Sequence, residues 1–157
     1  MQNITIHVIT NLISIMDLTF KEISMSDFPE VLPFIQKLMN HQFSDEILLQ
    51  RFEEMFEQNY ECWGVYLDEK RIGVFGLWFM TRHYAGRSCE PDHVYLDDTN
   101  RNKGIGKKVF AWIYDYARSR GCETSELNSY VSNFASHKFY LNQGYEIWAH
   151  HFVKKLL

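Results

Sequence analysis

The segment "NRNKGIGKKV", residues 100–109, sets Gly104 and Gly106 among Arg101, Lys103, Lys107 and Lys108, where a strand-like run gives way to a helix-like one. Glycines let the backbone approach a ligand, the unpaired N–H groups of a first helical turn point outward, and the helix dipole favours an anion there. The chemistry on offer is capture of a phosphate or pyrophosphate; the alternative is a glycine turn edged by ordinary surface lysines. Spacing excludes two common phosphate loops. A P-loop needs glycine five residues before its Gly-Lys pair and Ser or Thr after it, but Arg101 and Lys108 stand there. A dinucleotide fingerprint needs a third glycine where Val109 sits, and it belongs after a first strand rather than a fourth.

The elements that must position this loop follow from hydrophobic spacing. "LTFKEI", Leu18 to Ile23, alternates and predicts a strand. Ser26 or Asp27 is expected to cap a helix, with Glu30 three residues beyond Asp27 as in a capping box, ahead of a helical stripe of Phe28, Val31, Leu32, Ile35, Leu38 and Met39 in which Pro33 is expected to introduce a bend. A second helix is expected after Ser44, with Leu48, Phe52, Met55 and Phe56 inward and its acidic residues on a solvated face. "ECWGVYL" and "RIGVFGLWFM" predict a hairpin turning at Asp68-Glu69-Lys70, and "EPDHVYLDD" a fourth strand. Ile105, Val109, Trp112, Ile113 and Tyr116 make a third stripe that stops at Gly121. "ETSELNSYV" predicts a fifth strand, Asn133 to about Asn142 a short helix ended by Gly144, and "YEIWAHHFVKK" a last strand. The order is that of an α/β domain with a mixed sheet.

Composition narrows the function classes. At 157 residues one domain is expected, with residues 1–16 read as an extension or an extra strand and the core at about 18–155. A net charge of -4 argues against nucleic acid as a partner. The uncharged run from Met1 to Met16 is too short to span a bilayer and lacks a basic start and a cleavage site, so no membrane association is expected. Three scattered cysteines, without metal-ligand spacing, suggest a reducing, cytoplasmic setting and no metal site.

A second segment, "SNFASHKFYLNQGYE", places Asn133 after the fifth strand, Ser136 in the first helical turn, Phe139-Tyr140 in the helix and Gly144-Tyr145 at its exit. Alone, Tyr140 reads as a packing residue. Together the two segments resemble the GNAT superfamily of N-acetyltransferases: Arg101, Gly104 and Gly106 match its [RQ]xxGxG loop, and Asn133, Phe139, Tyr140, Gly144 and Tyr145 match its second motif at family spacing. The likeness runs from about Leu18 to Lys155. It implies a mixed, mostly antiparallel twisted sheet of six to seven strands flanked by about four helices, with the fourth and fifth strands splayed.

The resemblance also implies roles. Asp97, Asp98 and the turn Arg101, Asn102, Lys103, Gly104, Ile105, Gly106 and Lys107 would hold the pyrophosphate end of coenzyme A, the Leu96 backbone would meet its pantetheine arm, and Asn133 with Ser136 would hold that arm from the other side. Tyr140 matches the family's general acid. For the base, Glu90 lies six residues before Leu96, where several members carry a catalytic glutamate; it ranks ahead of His93. Strict alternation puts Glu90 and Asp92 on the face of Leu96 and His93 on the other, unless a bulge intervenes. The expected activity is transfer of the acetyl group of acetyl-CoA to a primary amine of a small molecule or peptide. The acceptor pocket would be lined by "LMNHQFSDEI" and "WFMTRHYAGR". The alternative is an acyl-CoA-binding sensor without turnover. A homodimer through the aromatic-rich last strand is also expected, and His150-His151 is read as strand surface, since strand neighbours point to opposite faces.

Overall fold

The computed structural model describes residues 18–156; the expectation for residues 1–16 lies outside that range. Strands β1 (Leu18–Ile23), β2 (Tyr60–Leu67), β3 (Lys70–Arg82), β4 (Gly86–Leu96) and β5 (Thr124–Ser125) form one sheet in the order β1-β2-β3-β4-β5. The first four pair antiparallel, and β5 joins β4 in parallel. The β2–β3 hairpin turns on Asp68 and Glu69, at φ 49° and 65°, the left-handed pair that a two-residue turn between twisted strands requires. The parallel β4–β5 pair needs a crossover instead, supplied by helix α3 (Ile105–Ser119).

Helices α1 (Leu32–Leu38) and α2 (Asp45–Phe56) cover one face of the sheet, with Ile35, Leu48 and Phe52 packed on Tyr60, Cys62, Val74 and Tyr95. Helix α3 covers the other, with Ile105, Val109 and Ile113 on Phe75, Leu77, Phe79 and Cys89. Residues on β3 serve the two faces alternately, so truncating fully buried Phe75 would cost about 3–5 kcal/mol. Helix α4 (Phe134–Asn142) leans on α3 through Phe139 and Tyr140, which meet Phe110 at 5.2 and 5.8 Å between ring centres.

Helix ends follow local chemistry, with two corrections. The Ser44 hydroxyl caps α2 by accepting from the Ile47 amide at 3.4 Å, and Gly121 and Gly144, at φ 74° and 91°, stop α3 and α4. The expected capping box at Asp27 does not form. Asp27 opens a single 3-10 turn, Phe28–Glu30, without a side-chain cap, and its carboxylate accepts from Ser24 Oγ at 2.7 Å. Pro33 does not bend a helix but begins one: its missing N–H falls among first-turn amides that have no acceptor.

The sheet has five strands among the described residues, not six to seven. The expected fifth strand shrinks to Thr124–Ser125, paired with Ser88 and Cys89. Glu126 N still donates to Cys89 O at 3.1 Å; after that the two chains part and β4 runs on to Leu96 with that edge open. Residues 145–155, expected as a last strand, join no strand among the described residues. Alternation states which faces a segment can offer, but a strand forms only where a partner edge lies within reach.

Candidate active site

One end of the open β4 edge is a loop of unpaired amides. After the 3-10 turn Asp98–Asn100, Asn102 and Gly104 take left-handed conformations at φ 60° and 77°. A Cβ on Gly104 would meet nothing within 4 Å, so glycine is required there by conformation and not by space. Main-chain bonding resumes only at Lys108 N, which donates to Gly104 O at 3.3 Å. The six preceding amides, 102–107, have no backbone acceptor among the described residues. Such a run at the N-terminus of a fifteen-residue helix is an anion nest reinforced by a helix dipole, and exposed Lys103 and Lys107 add charge.

Of the other residues expected here, several are already engaged. Arg101 donates from Nε to Leu96 O at 3.1 Å, pairs with Asp98 at 2.9 Å and lies over the Tyr95 ring at 5.3 Å. The Leu96 carbonyl thus faces the loop, and Arg101 braces it. Asp97 pairs with Lys37 of α1 at 3.3 Å, so both acidic groups beside the nest are neutralised by neighbours. A groove of about 810 Å³ opens between Lys37, Asn40, Tyr95, Asp97 and Arg101, within the range of small-molecule sites. Across the edge, Asn133 caps α4 through Oδ1, which accepts from Ser136 N at 3.3 Å.

At the other end, β4 carries a bulge. Val74 pairs with Tyr95 but Gly76 pairs with Asp92, so His93 and Val94 together face Phe75. His93 sits at φ 38°. The extra residue resets the alternation: Tyr95 packs with the α1/α2 core and Leu96 with the α3 core. Glu90 and Asp92 therefore do not share a face with Leu96, contrary to strict alternation. They share one with His93, because a bulge adds one residue to one strand only.

His93 is not open to a ligand. Its ring packs against Phe52 at 5.4 Å, and Nε2 lies 2.9 Å from the Tyr60 hydroxyl. Nδ1 lies 3.5 Å from Asp92 Oδ2. Asp92 also accepts from its own neighbour's amide, His93 N, at 2.7 Å and from Trp78 Nε1 at 3.2 Å. Burial disfavours its charge, but the bonds and charge of His93 and the Trp78 indole outweigh that and hold its carboxyl down to about 2. Burial pushes the Tyr60 phenol well above its ordinary value. Asp92, His93 and Tyr60 thus form a chain running inward from the open edge. Sequence reading missed Tyr60, and had Trp78 only within the segment expected to line the acceptor pocket. The one available signal was Gly76: a Cβ there would overlap the His93 ring, and an isolated glycine inside a strand marks a bulge or a close approach.

Glu90 lies where β5 leaves β4. Burial raises its pKa; an Asn128 bond at 2.8 Å and Arg82 at 3.6 Å draw it back, while the charges of Asp92 and Glu126 add to the rise. Arg82 is shared, since its Nε donates to Glu126 Oε1 at 2.5 Å. Glu126 also accepts from buried Ser88 Oγ at 2.7 Å, which fixes the point where β5 leaves β4. Tyr140, half-buried on α4, has its pKa raised by burial, with the Ser136 hydroxyl working the other way and the charge of Asp92 adding to the rise. The phenol is within electrostatic reach of the Asp92 carboxylate. The open edge therefore has an anion nest at one end and a carboxylate with a protonated phenol at the other.

The model of the acetyltransferase (GNAT) family matches residues 19–145. An aminoalkylphosphonate N-acetyltransferase of Salmonella typhimurium is 31% identical over 74 residues, 47% of this chain and 48% of that protein. The chain thus spans about half the length of the curated relative it matches. The fold matches a possible acetyltransferase from Clostridium difficile 630 with a TM-score of 0.75 at 15% identity, covering 89% of this chain and 98% of that one. It also matches a predicted acetyltransferase from Clostridium acetobutylicum, solved with acetyl-CoA, with a TM-score of 0.70 at 14% identity, covering 89% and 97%. With the family match spanning the sheet, the nest and α4, this chain belongs to the GNAT acetyltransferase family.

Proposed function

We propose that this protein moves the acetyl group of acetyl-CoA to the primary amine of a small molecule by direct attack with both substrates bound. The observation that carries the reading is the shared open edge of β4: six amides without acceptors at 102–107, and Glu90 and Tyr140 at the other end. The name of the curated relative supports a small amine as acceptor.

Bound acetyl-CoA supplies a thioester whose carbonyl carbon an amine can attack. The amides of residues 102–107 hold the pyrophosphate, with Lys103 and Lys107 adding charge. The Leu96 main chain and the Asn133 and Ser136 side chains flank the arm, and the Leu96 carbonyl is oriented by Arg101. Glu90 takes the proton that the ammonium must lose, directly or through water; its burial brings its proton affinity closer to neutral pH, where a base works best. Tyr140 stays protonated and gives its proton to the departing sulfur. Asp92 remains ionised and attracts the cationic acceptor, while His93 and Tyr60 hold it in place.

The test is calorimetric titration with acetyl-CoA, followed by thiol release in a panel of primary amines. Binding with amine-dependent thiol release is expected. Binding with no release from any amine would favour the acyl-CoA sensor, and absence of binding would overturn both readings.

A further inference from the structure

We propose that Glu126 is a positioning residue: it holds the Arg82 guanidinium off the Glu90 carboxylate and so sets the pH at which Glu90 can take a proton. This role rests on the acetyl-transfer reading, in which Glu90 is the base. Topology puts the three groups together. Ser125 pairs with Cys89 across the parallel β4–β5 edge, so Glu126 and Glu90 are the next residues along. Arg82 of β3 reaches both. Its Nε donates to Glu126 Oε1 at 2.5 Å, while a terminal nitrogen stands 3.6 Å from Glu90 Oε2, beyond hydrogen-bond distance.

The two carboxylates are bonded unequally. Glu126 is saturated: Oε1 also accepts from the fully buried Ser88 hydroxyl at 2.7 Å, and Oε2 from the Tyr84 hydroxyl at 3.5 Å. Donors from β3, the β3–β4 turn and β4 converge on it, and its own amide is tied to Cys89 O. Glu90 has only Oε1 bonded, accepting from Asn128 Nδ2 at 2.8 Å. Its Oε2 has no hydrogen bond among the described residues, so this oxygen is left for an incoming proton. A full Arg82 bond would occupy it. Beyond burial, which raises the proton affinity of Glu90, the charges acting on it are Asp92 of its own strand and Glu126, which raise it further, and Arg82, which lowers it. Tyr84 meets Glu126 instead, His93 is turned inward to Tyr60, and the Tyr140 phenol of α4 stays protonated. Without Arg82, Glu90 would face two carboxylates and hold its proton too well; with Arg82 in full contact it would be a poor base. The bond to Glu126 fixes Arg82 between these limits.

The test reads Glu90 itself, by carbon-13 NMR of the full chain with its glutamate carboxyls labelled, the Glu90 signal being the one lost in Glu90→Gln. Glu126→Gln keeps an oxygen for the Ser88 hydroxyl but releases Arg82, and the Glu90 midpoint is expected to move to lower pH. Arg82→Gln is expected to move it to higher pH. General loosening of the site would instead expose Glu90 and lower the midpoint in both variants, because burial raises it. The hold on Arg82 is read from the double variant: the Glu126→Gln shift is expected to be larger with Arg82 present than in the Arg82→Gln background. Equal shifts in the two backgrounds, or a fall in Arg82→Gln, would overturn the inference. The acid limb of thiol release, measured with the amine that gives most release, is expected to follow the Glu90 midpoint across the variants. A limb that stays in place while the carboxyl shifts would refute Glu90 as the base and uphold the Arg82 contact.

Discussion

The two ends of the open β4 edge are built from different materials. The nest end is main chain: amides 102–107, presented by the left-handed conformations of Asn102 and Gly104 and the first turn of α3. The opposite end is side chain: Glu90, Asp92 and Tyr140, each with a pKa moved by burial and by its neighbours. Backbone amides carry no proton that titrates in the accessible range, and every substitution except proline leaves them in place. Carboxylates and phenols respond to both pH and mutation. On the proposed reading binding and chemistry are separable, and they should fail separately.

The largest expected effect is at the side-chain end. Tyr140→Phe removes the proton donor and is expected to lower turnover by roughly 10²–10⁴-fold with acetyl-CoA affinity nearly unchanged, which steady-state kinetics and calorimetry together would read. Equal loss of both would erase the distinction between the two ends. Glu90→Gln is expected to lower turnover by on the order of 10² and, more tellingly, to flatten the pH profile. The wild-type rate should fall with decreasing pH as Glu90 is protonated, with a midpoint above the ordinary glutamate value because burial raises it. Retention of that limb in the Gln variant would assign the base elsewhere.

At the nest end the expected effects are smaller and of another kind. Gly104→Ala forces a Cβ into a left-handed conformation at a cost of about 1–2 kcal/mol, although nothing occupies the space around it. It should weaken acetyl-CoA binding by on the order of tenfold and leave turnover at saturation nearly intact, as a KM-against-kcat comparison would show. The smallest effect is structural. Asp92, held at about 2 against an ordinary 3.8, stabilises the fold fully above the ordinary value and loses that contribution as pH falls through about 2. Its side chain is 47% exposed, so after solvent screening Asp92→Asn should cost only about 1 kcal/mol near neutral pH and nothing at the acid end, measured by denaturant unfolding at both.

Much of the fold was legible because it rests on local rules. The 3.6-residue stripe of α3, the Ser44 cap and the glycine stops at 121 and 144 all act within a few residues, and each appears where expected. The nest was legible for the same reason: glycine spacing ahead of a helix states a backbone conformation directly. The chain of contacts through Asp92, His93 and Tyr60 was not. It depends on a bulge that sets two residues of β4 against one of β3, and on Gly76 leaving room for the imidazole. Strict alternation read from β4 alone set Glu90 and Asp92 on the face of Leu96; the bulge puts them on that of His93.

By itself the sequence determined helices α2 to α4, the hairpin, the glycine turn ahead of α3 and the family, since propensity, capping and motif spacing are properties of neighbouring residues. Only the tertiary structure decided which way β4 faces after His93, that Arg101 braces Leu96, and that residues 145–156 find no strand within the described chain. Those outcomes depend on what lies across from a residue in space, and register and partner edges are set by the packing of distant segments rather than by any one of them.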